Sequence, residues 1–271
     1  MELTRLKDGI ISVRYGSQAV VCRAFKRVQE FYENPVLKGL PGVTISDIDA
    51  WWKNFHAGEE TYDQYWCGFN IPGDVYRNWS MAAGKLTAAE LKLRRAIEAA
   101  GIESHSIAYI IGGFGKANSR EWLNIERHEI AHALFCVDPD YRTRATALMT
   151  ALGVAKPGLN AHIRSVLEQM GYDQSVIVDE MQAYLATGPL AETEGTILAG
   201  GARFVSGEES NDISPNAGSS RFSPGRWESV SGAAPSVLFG ILDELERLYV
   251  QASTNEKDAT CGAHARNAMP R

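Results

Sequence analysis

The chain has 271 residues, 45% of them hydrophobic and 22% charged, a globular balance with length for one large domain. A net charge of -6 without a basic stripe argues against nucleic acid as the main partner, and no apolar run approaches the ~20 residues of a membrane helix. Met1-Glu2-Leu3-Thr4-Arg5 lacks an apolar signal segment, and Cys22, Cys67, Cys136 and Cys261 form no C-x-x-C. The expectation is a cytoplasmic protein with reduced thiols, with secretion by a route that needs no signal peptide left open.

The first hundred residues read as a short strand and several helices. Ile10 to Tyr15 is β-like, and an amphipathic helix follows from about Ala19 to Tyr32 with Val20, Ala24, Val28 and Phe31 on one side. Asn34-Pro35 ends it. Ser46 is placed to cap a helix carrying Ile48, Trp51, Trp52 and Phe55. From Tyr62 to Trp79 the chain is aromatic-rich (Tyr65, Trp66, Phe69, Tyr76), a core or a substrate-facing wall, with Pro72 suited to a first helical turn. Thr87 and Glu90 form a capping box for a helix over Ala88 to Ala100, which Gly101 closes. Lys92, Arg94 and Arg95 give that helix a solvated face.

Ser106 to Phe114 is rich in β-branched and aromatic residues and is ended by Gly112-Gly113, which reads as a strand. It is either an ordinary sheet strand or, with an open edge, one able to pair with an extended peptide. A helix follows from Glu121 to Val137, free of Pro and Gly, with Pro139 stopping it. It carries His128-Glu129-Ile130-Ala131-His132. Positions i and i+4 share a helix face, so both imidazoles can reach one metal ion, while Glu129 projects about 100° away, beside the ion. Cys136 reads as a small core residue ahead of a soft ligand.

Helices are expected from Tyr141 to Leu152, from Pro157 to Gly171, and from Asp173 or Ser175 to about Thr187. His162, on the second of these, reads as a surface or supporting histidine. The third helix holds Glu180 among Val176, Ile177, Val178 and Met181, where an unpartnered carboxylate is costly. A catalytic zinc takes three protein ligands and a water, so Glu180 is the favoured third ligand. Asp179 is its rival, or the group that orients a ligand histidine. Thr196 to Gly232 is rich in Gly, Ser, Asn and Pro and reads as a long loop, a candidate lid. Pro235 to Gln251 is a docking helix and residues 253–271 a disordered tail.

The H-E-x-x-H segment followed by Asp179-Glu180-Met181-Gln182-Ala183-Tyr184 resembles the zincin metallopeptidases of the gluzincin type, over about Ser106 to Thr187. The resemblance leaves out the N-terminal hundred residues and the C-terminal loop. The longer metzincin pattern is absent, since Asp138 stands six residues after His132. The resemblance implies zinc on His128, His132 and Glu180, and hydrolysis of a peptide or small amide. Water activated by the metal is the attacking group, with Glu129 as base and proton shuttle. Tyr184, one turn from Glu180, is the first candidate for an oxyanion donor and Tyr141 the second. The competing class is a non-heme Fe(II) enzyme using the two histidines and a carboxylate as a facial triad. A structural-metal binding module ranks third. The expected architecture is α+β, mostly helical and zincin-like, one catalytic domain over residues 1–252 with a small sheet packed on the motif helix.

Overall fold

The computed structural model describes residues 1–6, 9–55, 61–102, 106–187, 202–205, 226–229 and 236–254. The chain is mostly helical, with a small mixed sheet. Strands β1 (Glu2–Arg5), β2 (Ile10–Tyr15), β3 (Phe69–Pro72) and β4 (Tyr109–Phe114) lie in the order β1-β2-β4-β3. β2 and β4 run parallel; β1 and β3 are antiparallel to their neighbours. Around them are α1 (Gln18–Glu33), α2 (Ile45–Phe55), α3 (Tyr62–Tyr65), α4 (Gly73–Ala82), α5 (Ala88–Ala99), α6 (Arg120–Val137), α7 (Pro139–Ala155), α8 (Pro157–Gln169) and α9 (Ile177–Thr187). A two-stranded ribbon pairs β5 (Ala202–Val205) with β6 (Arg226–Ser229), and α10 (Ser236–Thr254) closes the described chain. Among the described residues no helix is long and apolar enough to cross a membrane.

Alternation along the strands splits the core in two. Ile11, Val13, Tyr15, Phe69, Ile71 and Ile110 face α1 and pack with Phe25, Val28, Trp52, Trp79 and Leu93. Ile10, Tyr109 and Ile111 face the other way, toward Ala131 and Leu134 of α6, with α7, α8, α9 and α10 behind. The aromatic stretch belongs mainly to the first core: Tyr62, Phe69, Tyr76 and Trp79 are all buried there. Tyr65 and Trp66 are only partly buried.

Gly112 and Gly113 lie within β4 rather than ending it. A Cβ on Gly112 would sit 2.7 Å from the Phe25 ring, and one on Gly113 would sit 2.6 Å from Ile125 Cγ2 and 3.0 Å from Trp122. The glycines thus let α1 and α6 close on opposite faces of the same strand. β4 is interior, with β2 on one edge and β3 on the other, so it has no open edge for a peptide.

Other local readings change. Of the expected inner face of α1, Ala24 and Val28 are buried and Phe31 packs against the core, whereas Val20 is 42% exposed; Val21, Cys22 and Phe25 are buried beside them. Polar Lys26, Arg27, Glu30 and Glu33 are buried as well: Arg27 Nη1 donates to Glu90 Oε2 at 3.0 Å, and Lys26 pairs with Asp49 and Asp63. Thr44, not Ser46, caps α2, exchanging hydrogen bonds with Asp47. Pro72 ends β3 and stands just before α4. Pro139 does not merely stop α6 but opens α7, whose first amides are met by Asp138 Oδ1 at 3.0 Å. The expected 196–232 loop contains the β5–β6 ribbon. The rest of it, and residues 255–271 of the expected tail, lie outside the described residues. Cys22 is buried, Cys67 and Cys136 are half-buried, and all three are free thiols; Cys261 lies outside the described residues.

Gly113→Ala should lower stability by about 1–3 kcal/mol, the usual cost of overpacking a tight core, as read by denaturant unfolding. An unchanged midpoint would mean that α6 is not seated on β4 as closely as described.

Candidate metal centre

α6 and α9 cross with their polar groups facing each other. His128, His132 and Glu180 are 5%, 1% and 1% exposed, and one ligand atom from each lies within 4.8 Å of the other two. His128 Nε2 and His132 Nε2 are 3.2 Å apart, and Glu180 Oε2 is 4.0 Å from the first and 3.6 Å from the second. Ligand atoms about 2.1 Å from a tetrahedral ion stand roughly 3.4 Å from one another, close to this triangle. Glu180 Oε2 is buried and makes no hydrogen bond, as expected of an atom reserved for a cation. The three side chains therefore fit a single metal ion.

The second histidine is held from behind. Asp179 Oδ1 lies 3.0 Å from His132 Nδ1 and accepts from Gln182 Nε2 at 2.9 Å. Gln182, fully buried, also donates to the Ala131 carbonyl at 3.3 Å, stitching α9 to α6, and its Oε1 accepts from the Tyr141 hydroxyl at 2.7 Å. Asp179 is thus placed to orient His132, not to meet the point where the three ligand atoms converge. Tyr141, the second candidate oxyanion donor, has its proton committed to Gln182 and stands apart from that point. α10 braces the far side, where the Tyr249 hydroxyl donates to the Arg127 carbonyl at 3.2 Å.

Glu129 is 5% exposed, and its Oε2 makes no hydrogen bond. Burial pushes its carboxyl up to about 7, against the pull of His132 and of a hydrogen bond from Asn70. Burial likewise raises Glu180 to about 8, opposed by His132 and by a hydrogen bond from Tyr172. Burial and the neighbouring His132 hold the His128 ring well below the usual imidazole range. For His132 burial works in the same direction, but Glu180 and Asp179 outweigh it and hold that ring well above. Glu33, at the end of α1, is a further buried carboxyl that burial and Glu180 push up; Gln29 hydrogen-bonds it.

Tyr184 stacks obliquely on His128, ring centroids 4.5 Å apart, and shares a hydrogen bond with Tyr172. Tyr172 in turn packs edge-on against Trp66 at 5.4 Å. Cys136 is half-buried outside the triangle, and His162 is exposed on α8. Sequence reasoning did not find Gly68, Asn70, Tyr172 or Gln182. Gln182 alone left a trace, one turn after Asp179 on the same helix.

Compared with known protein families, with characterised proteins and with solved structures, the chain matches none.

Glu180→Ala should abolish stoichiometric zinc binding, whereas Asp179→Asn should weaken it by roughly 10–100-fold at unchanged stoichiometry, measured by chelator competition. The reverse order would make Asp179 the ligand. Binding also requires a Glu180 carboxylate and a neutral His132, so zinc should displace protons. Its affinity should fall as pH drops through about 8, by roughly tenfold per pH unit for each proton displaced. Calorimetry in buffers of different ionisation enthalpy reads this directly, and a pH-independent affinity would contradict it.

Proposed function

We propose that the protein is a zinc-dependent hydrolase of peptide or other amide bonds, of the gluzincin type its sequence resembles. One observation carries the reading. Three buried side chains bring ligand atoms to one point, while a fourth, Glu129, is buried beside them and contributes no atom to the triangle. A structural site would close the coordination shell with a fourth ligand, and among the described residues no fourth ligand joins this cluster.

His128 Nε2, His132 Nε2 and Glu180 Oε2 would hold the ion. Bound there, zinc supplies Lewis acidity, bringing the pKa of a water toward 7 and polarising the substrate carbonyl. Glu129 takes the water's proton on its uncommitted Oε2 and returns it to the leaving nitrogen. Asp179 keeps the His132 ring oriented through Nδ1. Tyr184, whose ring lies against His128, would steady negative charge developing on the carbonyl oxygen by turning its hydroxyl from Tyr172 toward it. Burial of the whole group excludes bulk water and strengthens each of these interactions.

The facial-triad alternative drew support from the aromatic N-terminal half as a wall for a small apolar substrate. Tyr62, Phe69, Tyr76 and Trp79 lie instead in the core on the α1 side of the sheet, which narrows that support to Trp66, packed on Tyr172.

Glu129→Gln keeps the size of the side chain but cannot take up the proton. It should retain zinc and fold while cleavage of a mixed peptide library, followed by mass spectrometry, falls by about 10²–10⁴-fold. Chelation should abolish cleavage and zinc should restore it. Full turnover in Glu129→Gln, or restoration only by ferrous iron, would overturn the hydrolase reading.

A further inference from the structure

We propose that Asn70 is the positioning residue for Glu129, its amide locked by Tyr109 and its carboxylate partner seated on the bare backbone of Gly68. The catalytic consequence rests on the hydrolase reading; the hydrogen-bond arrangement does not.

A glutamate on a helix has three side-chain torsions and no fixed direction of its own. Two features restrict that freedom here, and a third makes room for the direction they select. Asn70, 4% exposed on β3, hydrogen-bonds the Glu129 carboxylate. The Tyr109 hydroxyl, 0% exposed, donates to Asn70 Oδ1 at 2.7 Å. With its oxygen so engaged, the Asn70 amide has only its NH2 group to offer Glu129, which fixes which way round the amide stands. Finally, a Cβ on Gly68 would overlap Glu129 Oε1 and lie 2.8 Å from Cδ, so only glycine lets the carboxylate rest there. Oε2, left without a hydrogen bond, is the oxygen available to a proton.

The register shows why these groups meet. Asn70 and Ser12 both pair with Ile111, one on either side of β4, so they share the sheet face that meets α6. Ser12 Oγ donates to Glu126 Oε1 at 2.9 Å, and Asn70 serves Glu129 one turn further along the helix. A neutral amide suits this task. It directs a carboxylate without adding the positive charge that would form an ion pair and quench its basicity.

The test uses zinc-loaded full-length protein with the Asn70 side-chain amide resonances as one readout and library cleavage as the other. Glu129→Gln should move the Asn70 NH2 signals while those of remote asparagines stay put. Asn70→Ala, and more mildly Tyr109→Phe, should keep zinc stoichiometry and KM but lower kcat, by about 10² for Asn70→Ala, the scale of an ångström-level misplacement. The double variant Asn70→Ala/Glu129→Gln should be no slower than Glu129→Gln alone. Ser12→Ala, which removes the equivalent bond to Glu126, should leave kcat unchanged. Unmoved Asn70 signals in Glu129→Gln, or additive losses in the double variant, would overturn the proposal. If zinc-loaded wild-type protein cleaves nothing, the hydrolase reading fails, and the amide signals still decide the hydrogen bond.

Discussion

Burying ionisable groups together is the constraint on which this structure turns. His128, Glu129, His132 and Glu180 are all at most 5% exposed, on two helices that face each other. Each isolated charge taken from water costs several kcal/mol, and the groups respond in the available ways. Glu129 and Glu180 rise toward neutrality, His128 loses its proton, and His132 keeps one against the acids around it. These responses do not complete the hydrogen bonding, since Glu129 Oε2 and Glu180 Oε2 still lack partners. A divalent cation would satisfy Glu180 and both imidazoles together. Apolar residues of similar volume would hold α6 to α9 at least as well, so stability alone does not account for this cluster.

The fold carries that cost by fixing α6 from every side. β4 presents Gly113 to Ile125 and Trp122, α9 reaches across through Gln182, and α10 through Tyr249. The small sheet also sorts polarity. Its α1 face is apolar or aromatic in β2, β3 and β4, while its α6 face mixes Ile10 and Ile111 with Ser12, Asn70 and Tyr109. The polar positions occur where α6 offers Glu126 and Glu129. A four-stranded sheet is thus both a packing surface and the back wall of the proposed catalytic group.

What the sequence disclosed follows the range of each physical signal. The histidine pair and Glu129 are legible because helix periodicity alone puts them in place. Glu180 is legible because an acid among Val176, Ile177, Val178 and Met181 needs a partner. Start and stop signals located α5 and α8 to within a few residues, and apolar periodicity located α7 without its Asp138 cap. Apolar periodicity found Ala24 and Val28 on the inner side of α1 but not the buried Lys26, Arg27, Glu30 and Glu33, because the helix is enclosed on several sides. The glycine pair misled because close approach by α1 and α6, not a turn, is what requires it. Asn70, Gly68 and Tyr172 were invisible: each reaches the site through tertiary contacts that no local pattern encodes.

The choice between zinc hydrolysis and iron chemistry narrows to the role of Glu129. Two imidazoles and one carboxylate serve either metal. A facial triad has no use for a second carboxylate beside its open positions, and burying one there carries a cost with no return. In this chain that carboxylate is not an accident of the helix surface. Asn70 hydrogen-bonds it, Tyr109 fixes Asn70, and Gly68 makes room for it, with one oxygen left uncommitted. Two segments distant in sequence, residues 68–70 and Tyr109 of β4, converge on a carboxylate buried beside the His128, His132 and Glu180 triangle. That convergence is what the proposed hydrolase would need, and it goes beyond what the H-E-x-x-H pattern alone encodes, since residues 68–70 and Tyr109 lie outside that pattern.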